Sequence, residues 1–146
     1  MKKLLFILSF LISFSLFSQI GNFCEQSIEI SAGDYFIENI SGTEVSNLPN
    51  CTELNGNPEN LQWYSYTSDQ DLYITVTSNL ESNPPPDDTR LHIYEGSCDN
   101  LTCIAGNDDL DTGGLYDGFL SSAGFEAIAG NTYYIVWDNY WSNSSF

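Results

Sequence analysis

A chain of 146 residues makes one domain with a single sizeable core, and its 20 Asp and Glu against 3 Lys and Arg give a net charge of −17. That charge excludes the clustered Lys and Arg with which nucleic-acid binders neutralise phosphates, and it disfavours anionic lipid and ATP as ligands. Cations and neutral polymers remain as natural partners, and 42 % hydrophobic with 14 % aromatic residues is core-forming material rather than an acidic disordered tail.

The chain begins with Met1-Lys2-Lys3, then an apolar run from Leu4 to Phe17 broken only by Ser9, Ser13 and Ser15, then Ser18-Gln19. This pattern reads as a secretory signal peptide over residues 1–18. A run of about fourteen positions falls short of the roughly 20 that span a bilayer. Cleavage after Ser18 leaves a single domain over 19–146 and removes Lys2 and Lys3, which moves the net charge from −17 to −19 and makes Arg90 the sole Lys or Arg. No cysteine stands where a lipoprotein needs one, and no second long apolar segment follows. The mature protein is expected to be exported, without membrane insertion.

Beyond the leader the hydrophobic period is two. Short strand-like runs fall at Ser27 to Ile30, Tyr35 to Ile40 and Gln62 to Thr67. Leu72, Ile74 and Val76 then alternate with Tyr73, Thr75 and Thr77, and Leu91 and Ile93 alternate with Arg90, His92 and Tyr94, as half-buried strands do. Leu101 to Ile104, Phe119 to Ala127 and Tyr133 to Asp138 complete the set. No helical stripe appears outside the leader. About eight strands separated by Gly, Asn, Asp and Pro predict an all-β fold, an antiparallel two-sheet sandwich of jelly-roll-like type. Trp63 and Trp137 lie inside strands and are expected in the core. Tyr140 and Trp141 fall beyond the last strand in an Asn/Ser-rich stretch, where they form a candidate ligand-binding edge for a glycan.

Cys24, Cys51, Cys98 and Cys103 are an even set in an exported chain and predict two disulfides. Three pairings exist; Cys98 with Cys103 most simply closes a tight loop, which leaves Cys24 with Cys51. The spacings lack the paired CxxC knuckles of a zinc site.

Asn107, Asp108, Asp109 and Asp111, with Asp117 soon after, crowd one Gly-rich loop, and Asp88 opens the strand of Arg90. Hard oxygen ligands of this kind suit calcium, which accepts six to eight oxygens in flexible geometry. An EF-hand is excluded, because that alignment puts Thr112 where Gly belongs and Gly118 where the bidentate Glu belongs. His92 is the only histidine and no Gly-x-Ser-x-Gly motif accompanies it, so no triad hydrolase is expected. Twenty acids always offer carboxylate pairs, but so short a chain has little material for the deep cleft of a glycosidase. Asn50, Asn100 and Asn143 begin N-glycosylation sequons.

From Cys24 onward the order of several segments is distinctive: Trp63-Tyr64-Ser65-Tyr66-Thr67, Ile74-Thr75-Val76, and Asp88-Thr89-Arg90-Leu91-His92-Ile93-Tyr94-Glu95-Gly96-Ser97-Cys98. Leu101-Thr102-Cys103-Ile104-Ala105-Gly106-Asn107-Asp108-Asp109 and Ala129-Gly130-Asn131-Thr132-Tyr133-Tyr134-Ile135 follow. In this order the chain resembles the pre-peptidase C-terminal-type β-sandwich domains of secreted bacterial proteins, particularly those of Bacteroidetes. The resemblance implies a jelly-roll-like accessory or adhesion module that is not itself catalytic. Its partners would be a polysaccharide, a cell-surface protein, or other domains of a longer chain. It also marks Asp88, Asp108 and Asp109 as positions where some relatives hold calcium. Relatives continue past the equivalent of Trp141-Ser142-Asn143 through a closing strand, so the chain is expected to be a fragment whose parent carries any catalytic domain. The alternative is a structural or folding accessory of a larger secreted hydrolase, with no ligand of its own.

Overall fold

The computed structural model describes residues 21–43, 48–52, 56–83, 87–111 and 118–146; the signal peptide expected over 1–18 and the candidate ligand Asp117 lie outside them. Among the described residues seven strands form: β1 Ile28–Glu29, β2 Leu61–Thr67, β3 Leu72–Thr77, β4 Arg90–Ser97, β5 Asn100–Asn107, β6 Ser122–Ala127 and β7 Thr132–Asp138. They make a five-stranded sheet in the order β1-β2-β7-β4-β5 and a two-stranded sheet of β3 and β6. Every pairing is antiparallel except β1 with β2. The all-β, sandwich-like class expected from the alternation is therefore the fold, and no α-helix occurs among the described residues.

Because successive side chains of a strand point to opposite faces, the five-stranded sheet has two distinct sides. Tyr64, Leu91, Ile93, Tyr133, Ile135 and Trp137 face inward and pack with Ala123, Phe125 and Ala127 of β6. Phe125 and Tyr133 are in ring contact at 4.8 Å. The other side is buried as well: Leu61, Trp63, Tyr94 and Val136 form a second cluster with Cys24. Arg90 and His92, expected on the wet side of a half-buried strand, are thus enclosed.

Disulfides explain that second burial. Cys24 pairs with Cys98 and Cys51 with Cys103, each with Cα atoms 5.6 Å apart. These links hold residues 22–24 and 48–52 over the outer face, where the Pro49 carbonyl oxygen accepts a bond from the Tyr94 hydroxyl at 2.8 Å. Gly106 permits the approach, since a Cβ there would lie 2.5 Å from the Cys51 carbonyl oxygen. The expected Cys98–Cys103 and Cys24–Cys51 pairs are corrected. Ser97 faces Asn100, so Cys98 sits in the hairpin turn, while Cys103 faces Tyr94. Cys103 lies three residue steps along β5 from Asn100, about 10 Å of strand, more than a disulfide spans.

Two strand boundaries also differ. Tyr35 to Ile40 is not a strand; it pairs reciprocally through Ile37 with Phe146, at 2.8 and 3.0 Å, with the Phe146 ring on Trp137. Phe119 to Ser121 stay outside β6 because their carbonyls accept the N–H groups of Thr89, Leu110 and Ser78.

Non-reducing peptide mapping is expected to recover Cys24 linked to Cys98 and Cys51 linked to Cys103; a Cys98–Cys103 peptide would contradict this fold. The links close 74 and 52 residues of chain, worth about 4 kcal/mol each by loop entropy. Replacing either pair by Ser should lower the melting temperature by roughly 10–20 °C.

Candidate metal site

Antiparallel registry gathers several loops at one end of the sandwich. Arg90 faces Asp138 and Leu91 faces Asn107, so the start of β4, the end of β5 and the end of β7 lie side by side. Thr77 faces Ser122 in the second sheet, which brings Ser78 and Ser121 to the same end.

Three buried hydroxyls tie these ends together. Ser78 Oγ accepts the Ser121 N–H at 2.9 Å and lies 2.8 Å from Thr89 Oγ1. Ser121 Oγ sits 2.5 Å from the Thr89 carbonyl oxygen and 3.0 Å from that of Asp108, sharing its single proton between them. The backbones carrying Asp88 and Asp108 are therefore fixed without using either carboxylate.

Asp88, Asp108 and Asp109 each offer a carboxylate oxygen within 4.8 Å of the others. Asp109 is exposed at the rim, and Asp108 is buried at 7 % exposure. Asp88 Oδ1 and Asp108 Oδ2 are enclosed and have no hydrogen-bond partner among the described residues. An enclosed anionic oxygen without a donor is costly unless a cation or proton meets it. Burial, then the charges of Asp108, Asp109 and Asp87, push the Asp88 carboxyl up to about 6. Burial also raises Asp108, opposed by the Trp141 N–H and by Arg90.

The other expected ligands have different roles. Asn107 Oδ1 accepts the Ser122 N–H at 2.9 Å and its Nδ2 donates to the Asp109 carbonyl at 3.1 Å, so this amide shapes the loop. Asp111 is exposed and stands outside the group of three. Trp141, at 49 % exposure, donates its Nε1–H to Asp108 Oδ1 at 2.9 Å, which attaches the aromatic edge to the acidic group. Tyr140 meets Trp141 nearly perpendicularly at 4.6 Å. The Arg90 guanidinium lies 4.3 Å from the centre of its ring.

Behind this edge lies a network that sequence reasoning missed. Asp138 Oδ2 accepts from Arg90 Nε at 2.6 Å and from His92 Nε2 at 2.7 Å, all three residues being buried. His92 Nδ1 accepts the Cys51 N–H at 3.3 Å, which places the ring proton on Nε2. Both ring nitrogens are thereby engaged inside the fold. Asp138 Oδ1 accepts the Tyr140 N–H at 2.9 Å and so holds the aromatic edge. The available signal was a lone Arg two residues from the only His on one strand face.

Chemically, the end of the sandwich offers hard anionic oxygens on a fixed frame, with an aromatic side chain bonded to one of them. Comparison with family models, with curated proteins and with solved structures finds no match.

Between about pH 3.8 and 6 the folded chain holds a proton on Asp88 that the unfolded chain has released. The contribution of Asp88 to the metal-free fold therefore falls as pH rises through this window. In chelator, Asp88→Asn should raise the melting temperature at pH 7 relative to wild type and leave it nearly unchanged at pH 4, as differential scanning calorimetry would record. At the network, Asp138→Asn leaves buried Arg90 without its counter-charge and should cost about 3–5 kcal/mol in urea denaturation. Exposed Asp109→Asn should stay within about 0.5 kcal/mol in the same assay.

Proposed function

We propose that this chain is a non-catalytic, secreted or cell-surface binding module whose acidic group takes calcium and whose Tyr140-Trp141 edge meets a glycan or a protein. The observation that carries this reading is the pair of enclosed, unpartnered oxygens, Asp88 Oδ1 and Asp108 Oδ2, beside the exposed carboxylate of Asp109. Among the described residues the other two enclosed side-chain atoms without partners are donors, Trp63 Nε1 and Arg90 Nη1, so the unmet acceptors there are carboxylate oxygens of this one group.

Calcium suits the group better than magnesium. Three carboxylates on two loops supply oxygens at unequal depth, which a large ion of flexible geometry accepts and an octahedral, tightly hydrated one does not. The charge balance agrees. Arg90 is enclosed, and beyond the leader there is no other Lys or Arg, so the exterior acids have no permanent cation of the chain's own. Two disulfides indicate an oxidising, extracytoplasmic environment and support export. The resemblance to accessory sandwich domains of secreted proteins points the same way.

A second reading is a structural accessory domain of a larger secreted hydrolase. It is favoured by the ties of Tyr140 to Arg90 and of Trp141 to Asp108, which fasten the edge to the fold. Retention on insoluble polysaccharide or on cell-surface material separates the two, since the accessory domain would be retained by neither.

Thermal unfolding of the oxidised chain at pH 7 tests the metal. Calcium at about 100 times its dissociation constant should add roughly 2.7 kcal/mol, a rise of roughly 5–15 °C over chelator. Magnesium should do much less, and Asp108→Asn should abolish the calcium response. A flat titration would overturn the metal reading and leave the three aspartates as an uncompensated acidic group of the fold.

A further inference from the structure

We infer that a cleft at the opposite end of the sandwich, lined by Glu95, binds an arginine side chain displayed by a partner polypeptide. This inference depends neither on the acidic group nor on calcium.

Strand alternation creates the cleft. Leu91, Ile93 and Glu95 follow one another on the inner side of β4, and Glu95 has Thr102 of β5 on one flank and Tyr133 of β7 on the other. Leu91 and Ile93 are packed under β6, whereas Glu95, in the same row, is exposed. Here the larger sheet carries an open cleft of about 470 Å³, a volume within the range of small-ligand sites.

Both walls are fixed before any ligand arrives. One is the β4–β5 hairpin, through Asn100 and Thr102; the other is the turn between β6 and β7, through Asn131 and Thr132. The hairpin is tight at Gly96, whose φ is 109° and where a Cβ would lie 2.4 Å from the Asn100 carbonyl oxygen. Its turn is tethered by the Cys24–Cys98 disulfide. The other wall is held by Ser68, whose carbonyl accepts the Gly130 N–H at 2.8 Å and whose N–H donates to the Asn131 carbonyl at 3.1 Å. Asp71 Oδ1 accepts the Ala129 N–H at 2.8 Å beside it. A ligand therefore has little of the cleft left to order.

The lining selects the ligand. Thr132 Oγ1 is engaged with Thr67 at 2.9 Å, while the side chains of Glu95, Asn100, Thr102 and Asn131 have no hydrogen-bond partner among the described residues. They present one carboxylate, two amide oxygens and a hydroxyl. No aromatic ring lines the cleft, so a sugar would lack a stacking surface; no Lys or Arg lines it, so an anion would lack a counter-charge. A guanidinium suits the set, because its planar fork meets a carboxylate through two parallel N–H bonds and its remaining donors reach neutral oxygens alongside. A net charge of −17 draws cationic partners to the chain. A second copy cannot supply the group, since its only Arg is Arg90, enclosed at the far end of β4. The occupant is thus a different polypeptide.

The test follows backbone amide shifts of the isotope-labelled, oxidised chain by NMR at physiological ionic strength. The probes are a capped peptide of Gly and Ser with one central arginine, and the same peptide with citrulline, the neutral isostere of arginine. Saturable shifts centred on Glu95, Asn100, Thr102 and Asn131 are expected with arginine, and binding weaker by roughly tenfold with citrulline. Glu95→Gln should weaken arginine binding by a similar factor at an unchanged melting temperature, because the residue is exposed. Glu81→Gln, an exposed acid of another turn, should change it less than about twofold. Equal binding of the two peptides would overturn the inference, as would the absence of saturable shifts. Shifts spread over the surface, or equal losses in the two variants, would show diffuse attraction to a negative chain and overturn it too. Shifts of the cleft amides by xylan or mannan oligosaccharides, with none by the arginine peptide, would make this a sugar site instead.

Discussion

Asp138 receives two buried donors on a single oxygen, Arg90 Nε and His92 Nε2, in a space closed to water. A buried carboxylate survives only with compensation of this kind, and a buried guanidinium equally needs its counter-charge. The pair therefore fixes the ends of β4 and β7 against each other. Its other oxygen holds the Tyr140 N–H, and Arg90 carries the Tyr140 ring. The aromatic edge is positioned from this one carboxylate and meets the acidic loop through the Trp141 N–H. Enclosing the only Arg has a second effect, which is to leave Lys2 and Lys3 as the only other Lys or Arg to set against the outside acids.

That network is dry because the disulfides make it so. A sandwich with five strands facing two cannot cover both sides of the larger sheet with sheet alone. Cys24–Cys98 and Cys51–Cys103 bring coil over the outer side, and the Cys51 N–H sets the His92 tautomer on which the bond to Asp138 depends. Tethering and polar burial are thus one device: without the covering coil, Arg90, His92 and Asp138 would be solvated side chains of a half-exposed strand.

Period-two alternation made the sheets legible to within a few residues at β2, β3, β4 and β7, because alternation is local and strand pairing follows it. The partners that decide the rest are distant in sequence. Tyr35 to Ile40 has strand composition, but the partner of Ile37 is Phe146, which no local pattern indicates. Disulfide pairing depends on which side of a hairpin each cysteine faces, so the short Cys98 to Cys103 interval misled. In the site, Asp88, Asp108 and Asp109 were legible as acids at strand ends. Asn107 looked equivalent, yet its amide is engaged by Ser122 and Asp109. Ser78, Thr89 and Ser121 left no signal because each is a single hydroxyl in a different loop, and only the fold brings them together.

The acidic group is also a local contradiction that the rest of the fold sustains. Three carboxylates within 4.8 Å, two with enclosed oxygens lacking donors, oppose folding at neutral pH. Among the described residues the compensation at the site is partial: the Trp141 N–H serves one oxygen of Asp108, and the charge of Arg90 also favours that carboxylate. The remainder comes from elsewhere, from a core buried on both sides of the larger sheet and from two long disulfide loops. Such an arrangement has a physical use. The Ser121 hydroxyl cluster holds the aspartate backbones through carbonyls, and Trp141 takes one oxygen of Asp108, so Asp88 Oδ1 and Asp108 Oδ2 are left bare on a fixed frame. A cation bound there would meet a preorganised group and relieve repulsion the fold has already absorbed, a gain in both affinity and stability.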